Sequence, residues 1–464
     1  MSEAGDQVQQ GEFLNILKVR DDPRPLYFNK NDDESIDWKE GSDAAWAQEE
    51  GSCTKVLRKR IEPWLTSLFQ SEHLSLLAGS GLTHAVHCLA QGKPAAGMNK
   101  LPLKIKSDEI DREAEKSAKL AGREKGNLED QLRIANELLR GLDILGDDSA
   151  GSLRDELKDG MSEFAKSILE SERGIVSADV EKRDQALNTL VTFLMSFASR
   201  TGVRDRLNIF TTNYDRLVEA GAELAGLHLL DRFLGNLMPI FRSSRLDLDM
   251  HYNPPGIRGE PRYLEGVARY TKLHGSVDWV QTGRDIRRIG LPLGADEVAP
   301  YLNVPGFQGV TENKLMIYPN AAKDQETANY PYVELFRDLA SAVCRPNSTL
   351  VTYGYSFGDE HINRVIRDML TIPSTHLVVI SRDDSLGRIM KNYDDIGRSS
   401  QISLMIGPAL ADLSILTESF LPKASIDKTT SRMSELLKQR FDVQQGPVNQ
   451  SSGKAQPDNL DFLE

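Results

Sequence analysis

Three features of the sequence predict an α/β fold in which a mostly parallel sheet carries helices on both faces. Short apolar runs recur along the chain, and each stops at small or polar residues. A helical period restarts after most of these stops, which is the order that parallel strands and their crossovers need. A charge-rich stretch from about 99 to 200 has helical periods alone and reads as an insertion between the first two of these strands.

Composition narrows the class. The chain has 464 residues, 39% hydrophobic and 27% charged, enough for a sizeable core and one large domain with insertions. A net charge of −13 argues against a whole-surface grip on nucleic acid, so no direct nucleic-acid partner is expected. Cys53, Cys88 and Cys344 lie far apart with no Cys-x-x-Cys pair, which argues against a disulfide framework and a thiolate zinc module and fits a reducing compartment. The first residues lack the basic start and apolar run of a secretion signal, and no apolar stretch reaches the roughly 18 residues of a membrane span. A cytoplasmic protein without a membrane partner is expected.

Residues 1 to about 50 are acidic and polar but hold Phe13, Tyr27, Trp38 and Trp46, so they read as an arm that docks onto the body or a neighbouring subunit. Helical spacing of Val56, Leu57, Ile61, Trp64, Leu65 and Leu68 follows. A strand over 74–78 then meets Gly79-Ser80-Gly81-Leu82-Thr83 and a helix to 91, a layout that lets backbone N–H groups and a helix N-terminus hold phosphate. The glycines would let that phosphate approach the backbone. In the insertion, Leu128, Leu132, Ala135 and Leu139 line one helical face, and Leu187, Leu190, Val191, Leu194 and Phe197 line another. Its charges read as solvated, with partner binding as the alternative.

The central strand candidate is Leu207-Asn208-Ile209-Phe210-Thr211, followed by Thr212-Asn213-Tyr214-Asp215 and a helical pattern. A strand over 267–273 runs into His274-Gly275-Ser276, and residues 283–314, rich in Gly and Pro, read as a long surface loop. A short strand at 315–319 and a helix over 332–344 follow. Strands over 348–353 and 376–380 end at Gly354-Tyr355-Ser356-Phe357 and at Ser381-Arg382-Asp383, with a helix over 361–370 between them. Residues 51–424 are taken as the catalytic domain, 425–442 as a C-terminal helix and 443–464 as a disordered tail. In an open α/β sheet, ligands bind outside the carboxyl ends of the strands, so all these turns are candidates for one nucleotide site.

The turns resemble, in order, those of the sirtuin family, specifically a prokaryotic NAD-hydrolysing branch found in anti-phage defence. Gly79-Ser80-Gly81-Leu82-Thr83 resembles its Gly-Ala-Gly-x-Ser loop, and Thr211-Thr212-Asn213-Tyr214-Asp215 its Thr-Gln-Asn-Ile-Asp. Lys272-Leu273-His274-Gly275-Ser276 resembles the Leu-His-Gly segment, Gly354-Tyr355-Ser356 the Gly-Thr-Ser turn, and Ile380-Ser381-Arg382-Asp383 the Ile-Asn-x-Asp turn. The resemblance implies a Rossmann-like fold and NAD as substrate. The family's four-cysteine zinc ribbon and its Pro-Asp-Phe-Arg element are missing, which favours NAD hydrolysis over deacylation and leaves no metal expected. Relatives of this kind work with HerA-like ATPases, Argonaute-type proteins or nucleotide-signal sensors, so a homo-oligomer or such a partner is expected.

Breaking the bond between nicotinamide and ribose needs a group to fix the ribose and a base for the attacking water. The Asn213 amide donates and accepts, so it suits a ribose hydroxyl and a water, and His274 suits the base. Asp215 either accepts from the nicotinamide ribose or caps the helix after it. Asp383 suits the adenosine ribose, and Thr83 and Ser356 would offer hydroxyls to phosphate, beside Gly79, Ser80, Gly81, Thr212, Gly354, Phe357 and Ser381 as further nucleotide contacts. His84, His87 and Cys88 share a helical face but lack a fourth ligand, so a packed helix is expected there. The expected activity is that of an NAD glycohydrolase that depletes NAD under control of assembly or a partner. The alternatives are protein ADP-ribosylation or deacylation, and a non-catalytic NAD sensor.

Overall fold

Fully buried strands of a parallel sheet need apolar side chains on both faces, and the apolar runs supply them. In chain order the structure, a computed structural model, contains β1 (Asn15–Lys18), β2 (Leu26–Lys30), β3 (Ile36–Trp38), α1 (Cys53–Phe69), β4 (His73–Ala78), α2 (Ser80–Gln91), α3 (Ser107–Leu120), α4 (Leu128–Leu145), α5 (Ser149–Val176) and α6 (Val180–Ala198). Next come β5 (Asn208–Thr211), α7 (Leu217–Leu224), β6 (His228–Leu230), β7 (Phe233–Leu234), β8 (Ile240–Phe241), β9 (His251–Tyr252), β10 (Arg262–Tyr263), β11 (Val267–Lys272), β12 (Gly275–Thr282), β13 (Asp285–Arg288) and β14 (Leu315–Ile317). Then follow α8 (Tyr332–Val343), β15 (Ser348–Tyr353), α9 (Glu360–Leu370), β16 (His376–Ser381), α10 (Arg388–Ile396) and β17 (Ile402–Ile406), with short helical segments at Pro408–Ala411, Leu413–Ile415 and Leu416–Phe420 after them. The structure describes residues 14–39, 41–42, 46, 51–97, 100–120, 126–199, 204–243, 250–252, 262–283, 285–307, 309–310, 315–317 and 330–423. The expected C-terminal helix and tail lie outside them.

Ten strands form one sheet in the order β3-β2-β1-β17-β16-β15-β4-β5-β11-β6. The pairings from β17 to β6 are all parallel, which gives the Rossmann-like α/β architecture expected. Within the segment read as an arm, residues 15–38 add three strands to this sheet: β1 pairs antiparallel with β17, β2 with β1, and β3 with β2. The order in which strands are added reverses between the parallel neighbours β4 and β15, since β5 and β11 follow on one side and β16 and β17 on the other, so the topological switch point falls there.

Alternation along each strand divides the core. Leu74, Leu76, Ala78, Ile209, Val351 and Tyr353 pack with α1, α2 and α6 on one face. Leu77, Phe210 and Leu350 pack with α8, α9 and Ile389 on the other. By packing, α6 belongs to the sheet, since Leu190, Phe193, Leu194 and Phe197 sit in that first cluster. The remaining insertion helices share a third core with β12 and β14. Ile289, Leu291, Val298, Leu302 and Phe307 are buried in it, so the described part of 283–314 is not the surface loop expected; its scattered apolar side chains outweigh the Gly and Pro content.

A second sheet runs β14-β12-β13-β8-β7. No strand was expected where β12 lies; it starts directly after His274, so that histidine stands at the corner where the chain passes from one sheet to the other.

Candidate active site

Strand register brings the turns to one level. Ala78 lies opposite Thr211 on one side and Tyr353 on the other; Thr211 lies opposite Lys272, and Tyr353 opposite Ile380. The next residues along the five strands are therefore Gly79, Thr212, Leu273, Gly354 and Ser381, all at the carboxyl edge.

The glycines serve the fold first. A Cβ on Gly79 would lie 2.4 Å from the Gly354 carbonyl oxygen, and one on Gly81 would lie 2.5 Å from the Gly354 Cα. Gly354 itself has φ 61°, a left-handed conformation suited to glycine. Backbone bonds from Gly79 N to Tyr353 O (2.9 Å) and Gly81 N to Gly354 O (3.1 Å) lock the two turns together.

Asn213 is buried and both its amide protons are used, on Gly79 O (3.0 Å) and on Thr83 Oγ1 (2.9 Å). Its Oδ1 has no hydrogen-bond partner among the described residues, so what this side chain offers a ligand is an acceptor. Thr83 donates its hydroxyl to Asp215 Oδ2 at 2.6 Å. That corrects its expected role, because a hydroxyl proton held by a buried carboxylate is not available to phosphate. Asp215 also accepts from Leu217 N at 3.1 Å, so it holds the start of α7 as well as facing the site. Beneath this turn the buried Lys272 ammonium donates to the Asp215 carbonyl and to Glu219 Oε1 (3.1 Å).

His274 presents Nε2 to Asp359 Oδ2 at 2.8 Å. The second oxygen of Asp359 accepts from His361 N at 3.0 Å and caps α9. Sequence reasoning missed Asp359; its only signal was an acidic residue before a helix, which reads as a cap. Both members of the pair are largely buried, with side chains 12% and 4% exposed.

These groups line one cavity of about 200 Å³, with Gly79, Ser80, Thr83, Thr212, Asn213, Asp215, His274, Gly354, Ser356 and Asp359 in its wall. Helix α5 supplies a further part of the wall, through Phe164, Ser167, Ile168 and Ser171, a contribution no local pattern announced. Glu172, one residue further on, is fully buried and accepts from Arg216 N (2.7 Å) and Nε (3.1 Å), which ties α5 to the turn after Asp215. Burial pushes the Glu172 carboxyl up, and the Arg216 guanidinium opposes this. An adjoining cavity of about 650 Å³ is lined by Gly81, Ser381, Asp383, Asp384 and Asp412. Ser80, His84, Gly354 and Ser356 line both. Phe357 lines neither: it is packed against Tyr355 in the core, so it is corrected from a nucleotide contact to a packing residue.

Residues 207–395 match the family described as SIR2-like domain. This stretch carries the Asn213, His274, Asp359 and Asp383 turns on β5, β11, β15 and β16. Such a domain supports a sirtuin-like family and is compatible with an NAD-utilising enzyme. No curated protein sequence matches the chain. The first glycine turn lies before the SIR2-like match and reaches it through the contacts of Gly79 and Gly81 with Gly354.

Among the described residues no cluster of three His, Cys, Asp or Glu side chains is placed to hold a metal ion. His87 bonds the Lys93 carbonyl through Nδ1 (2.8 Å). His84 lines the site, with a buried Nδ1 that has no partner among the described residues; burial and His87 hold it below its usual pKa against the pull of Asp215. Also among the described residues, no helix is long and apolar enough to cross a membrane.

Proposed function

We propose that this chain hydrolyses NAD to nicotinamide and ADP-ribose. The observation that carries the reading is that the His274–Asp359 pair and the unpartnered Oδ1 of Asn213 belong to one cavity at the carboxyl edge of the sheet. Asn213 Oδ1 accepts a hydrogen bond from a ribose hydroxyl or from the attacking water. The carbon–nitrogen bond to nicotinamide breaks, and nicotinamide leaves with the electron pair. Water adds to the anomeric carbon, and its proton goes to Nδ1 of His274. Asp359 orients the ring through Nε2 and stabilises the imidazolium that forms, the role a carboxylate plays behind a catalytic histidine. Desolvation by the α5 wall strengthens each of these interactions.

The biological part of the proposal rests on the resemblance: depletion of NAD as an anti-phage effector, in the cytoplasm, as a homo-oligomer or under a HerA-like or other defence partner. A depleting enzyme must be restrained until triggered.

The test is incubation of the purified full-length chain with NAD, alone and with its native partner, following nicotinamide and ADP-ribose. Hydrolysis that falls by about 10²–10⁴ in Asn213→Ala and His274→Ala is expected. No turnover in any assembly state, or ADP-ribose left on protein in place of free ADP-ribose, would overturn it.

A further inference from the structure

The two cavities meet on a shared wall of Ser80, His84, Gly354 and Ser356, at the switch point of the sheet. A dinucleotide with one ribose by Asn213 and the other by Asp383 must lay its diphosphate across that wall. Its two negative charges would enter an acidic setting, because Asp215 and Asp359 line one cavity and Asp383, Asp384 and Asp412 the other. Two arginines line these cavities. Arg382 lines the second, where it is 60% exposed and stands 3.9 Å from Asp412. Arg388 lines the first.

Local structure fixes Arg388 there. It is the first residue of α10, after Gly387 with φ 63°. The Asp384 carboxylate accepts from Ile389 N (3.0 Å) and Met390 N (2.9 Å), and Ile389 is buried in the core. The guanidinium crosses to the turn after β15: a Cβ built on Gly358 would lie 2.9 Å from its Nη1 and 3.5 Å from Ser356 Oγ. The guanidinium and the Ser356 hydroxyl thus share the one space that a side chain at position 358 would fill.

We propose that Arg388, with Ser356 and the bare backbone of Gly358 beside it, forms a diphosphate subsite that sets the preference of this cavity for dinucleotides over nucleosides. A guanidinium suits this task because its planar donors meet two phosphate oxygens at once. The glycine at 358 acquires a reason: any side chain there would displace the arginine head.

This inference rests on the reading of the site as one for NAD, and the experiment separates the two. Binding of ADP-ribose and of adenosine to the full-length chain is measured by calorimetry for wild type, Arg388→Met, Arg388→Lys and Gly358→Ala. Cleavage of NAD and of nicotinamide riboside, which lacks the diphosphate, is measured in parallel. Arg388→Met should weaken ADP-ribose binding roughly 10- to 100-fold, the scale of a lost charge-assisted bond, and lower the NAD to nicotinamide riboside ratio of kcat/KM by a similar factor. Arg388→Lys and Gly358→Ala should fall between. Unchanged ADP-ribose affinity in Arg388→Met, or an equal loss of adenosine affinity, overturns the proposal. Wild-type protein that binds ADP-ribose through Arg388 but never cleaves NAD leaves the subsite standing and removes the hydrolase reading instead.

Discussion

Replacing Asp359 by asparagine tests the base directly, because it changes one atom and moves one proton. In the wild type, Oδ2 of Asp359 accepts from Nε2 of His274 at 2.8 Å and Oδ1 accepts from His361 N at 3.0 Å. The asparagine keeps Oδ1 for the helix and puts an NH2 group, a donor, where Oδ2 stood. Nε2 must then accept, so the ring proton moves to Nδ1, the nitrogen that has to take the proton from water. The base is lost while volume and cap stay in place. A general base contributes about 10²–10⁴ in rate, so the barrier should rise by about 3–5 kcal/mol. Stability should change by less than about 0.5 kcal/mol, since Asn and Asp are near-equal caps. If the amide turned over to keep its oxygen on His274, α9 would lose its cap and thermal melts would record a loss of about 1 kcal/mol. The assay is nicotinamide release under steady-state conditions, with melts on the same preparations. Activity within about threefold of wild type and an unchanged melt, beside an inactive His274→Ala, would refute the pair as the working base.

Three further outcomes follow from packing and charge. Gly354→Ala should destabilise the fold by about 2–5 kcal/mol in denaturant titration, because its Cβ would meet the Gly81 Cα at 2.5 Å in a conformation at φ 61° that alanine resists. Glu172→Gln leaves the Arg216 guanidinium buried without its carboxylate and should cost about 3–5 kcal/mol by the same measurement. Burial, with Lys18 nearby, lowers the pKa of His376 from 6.5 to about 4, so this ring stays neutral in the fold while the unfolded chain protonates it. Its stabilisation is full above the unfolded pKa of 6.5 and declines as pH falls toward about 4. Unfolding measured at about pH 7 and about pH 5 should therefore differ by about 2 kcal/mol more in wild type than in His376→Gln.

What the sequence disclosed follows the range over which each signal acts. Strand and helix periods are local, so β4, β5, β11, β15 and β16 and the turns after them were legible, as was their common edge. Asp359 was visible only as a helix cap, since one of its oxygens does that local task and the other serves a histidine 85 residues away. Residues 283–314 misled because Gly and Pro report backbone conformation, not burial; Ile289, Leu291 and Phe307 held the contrary signal. The glycine turns were placed correctly but for an incomplete reason. Phosphate approach would explain bare backbone at 79 and 81, yet the neighbouring Gly354 turn already demands it.

The insertion gives the sharpest case of a long-range feature, because its charges read as a solvated face or a partner surface and pointed to no part in the site. Helix α5 has 28 residues, about 40 Å at 1.5 Å per residue, and its side chains enter two cores. Leu153, Leu157, Phe164 and Leu169 pack with α4 and β12, whereas Ile175 packs with the sheet. Phe164, Ser167, Ile168 and Ser171 wall the cavity between these anchors, and Glu172 grips Arg216 directly after Asp215. The wall that α5 supplies is therefore attached to the same turn that carries Asn213 and Asp215. A displacement of α5 that opened the cavity would also have to break a buried ion pair or drag that turn with it. For this reason Glu172→Gln should lower NAD turnover at temperatures where the protein is still folded, and a loss of stability without a loss of turnover would mean that the wall and the turn are not coupled.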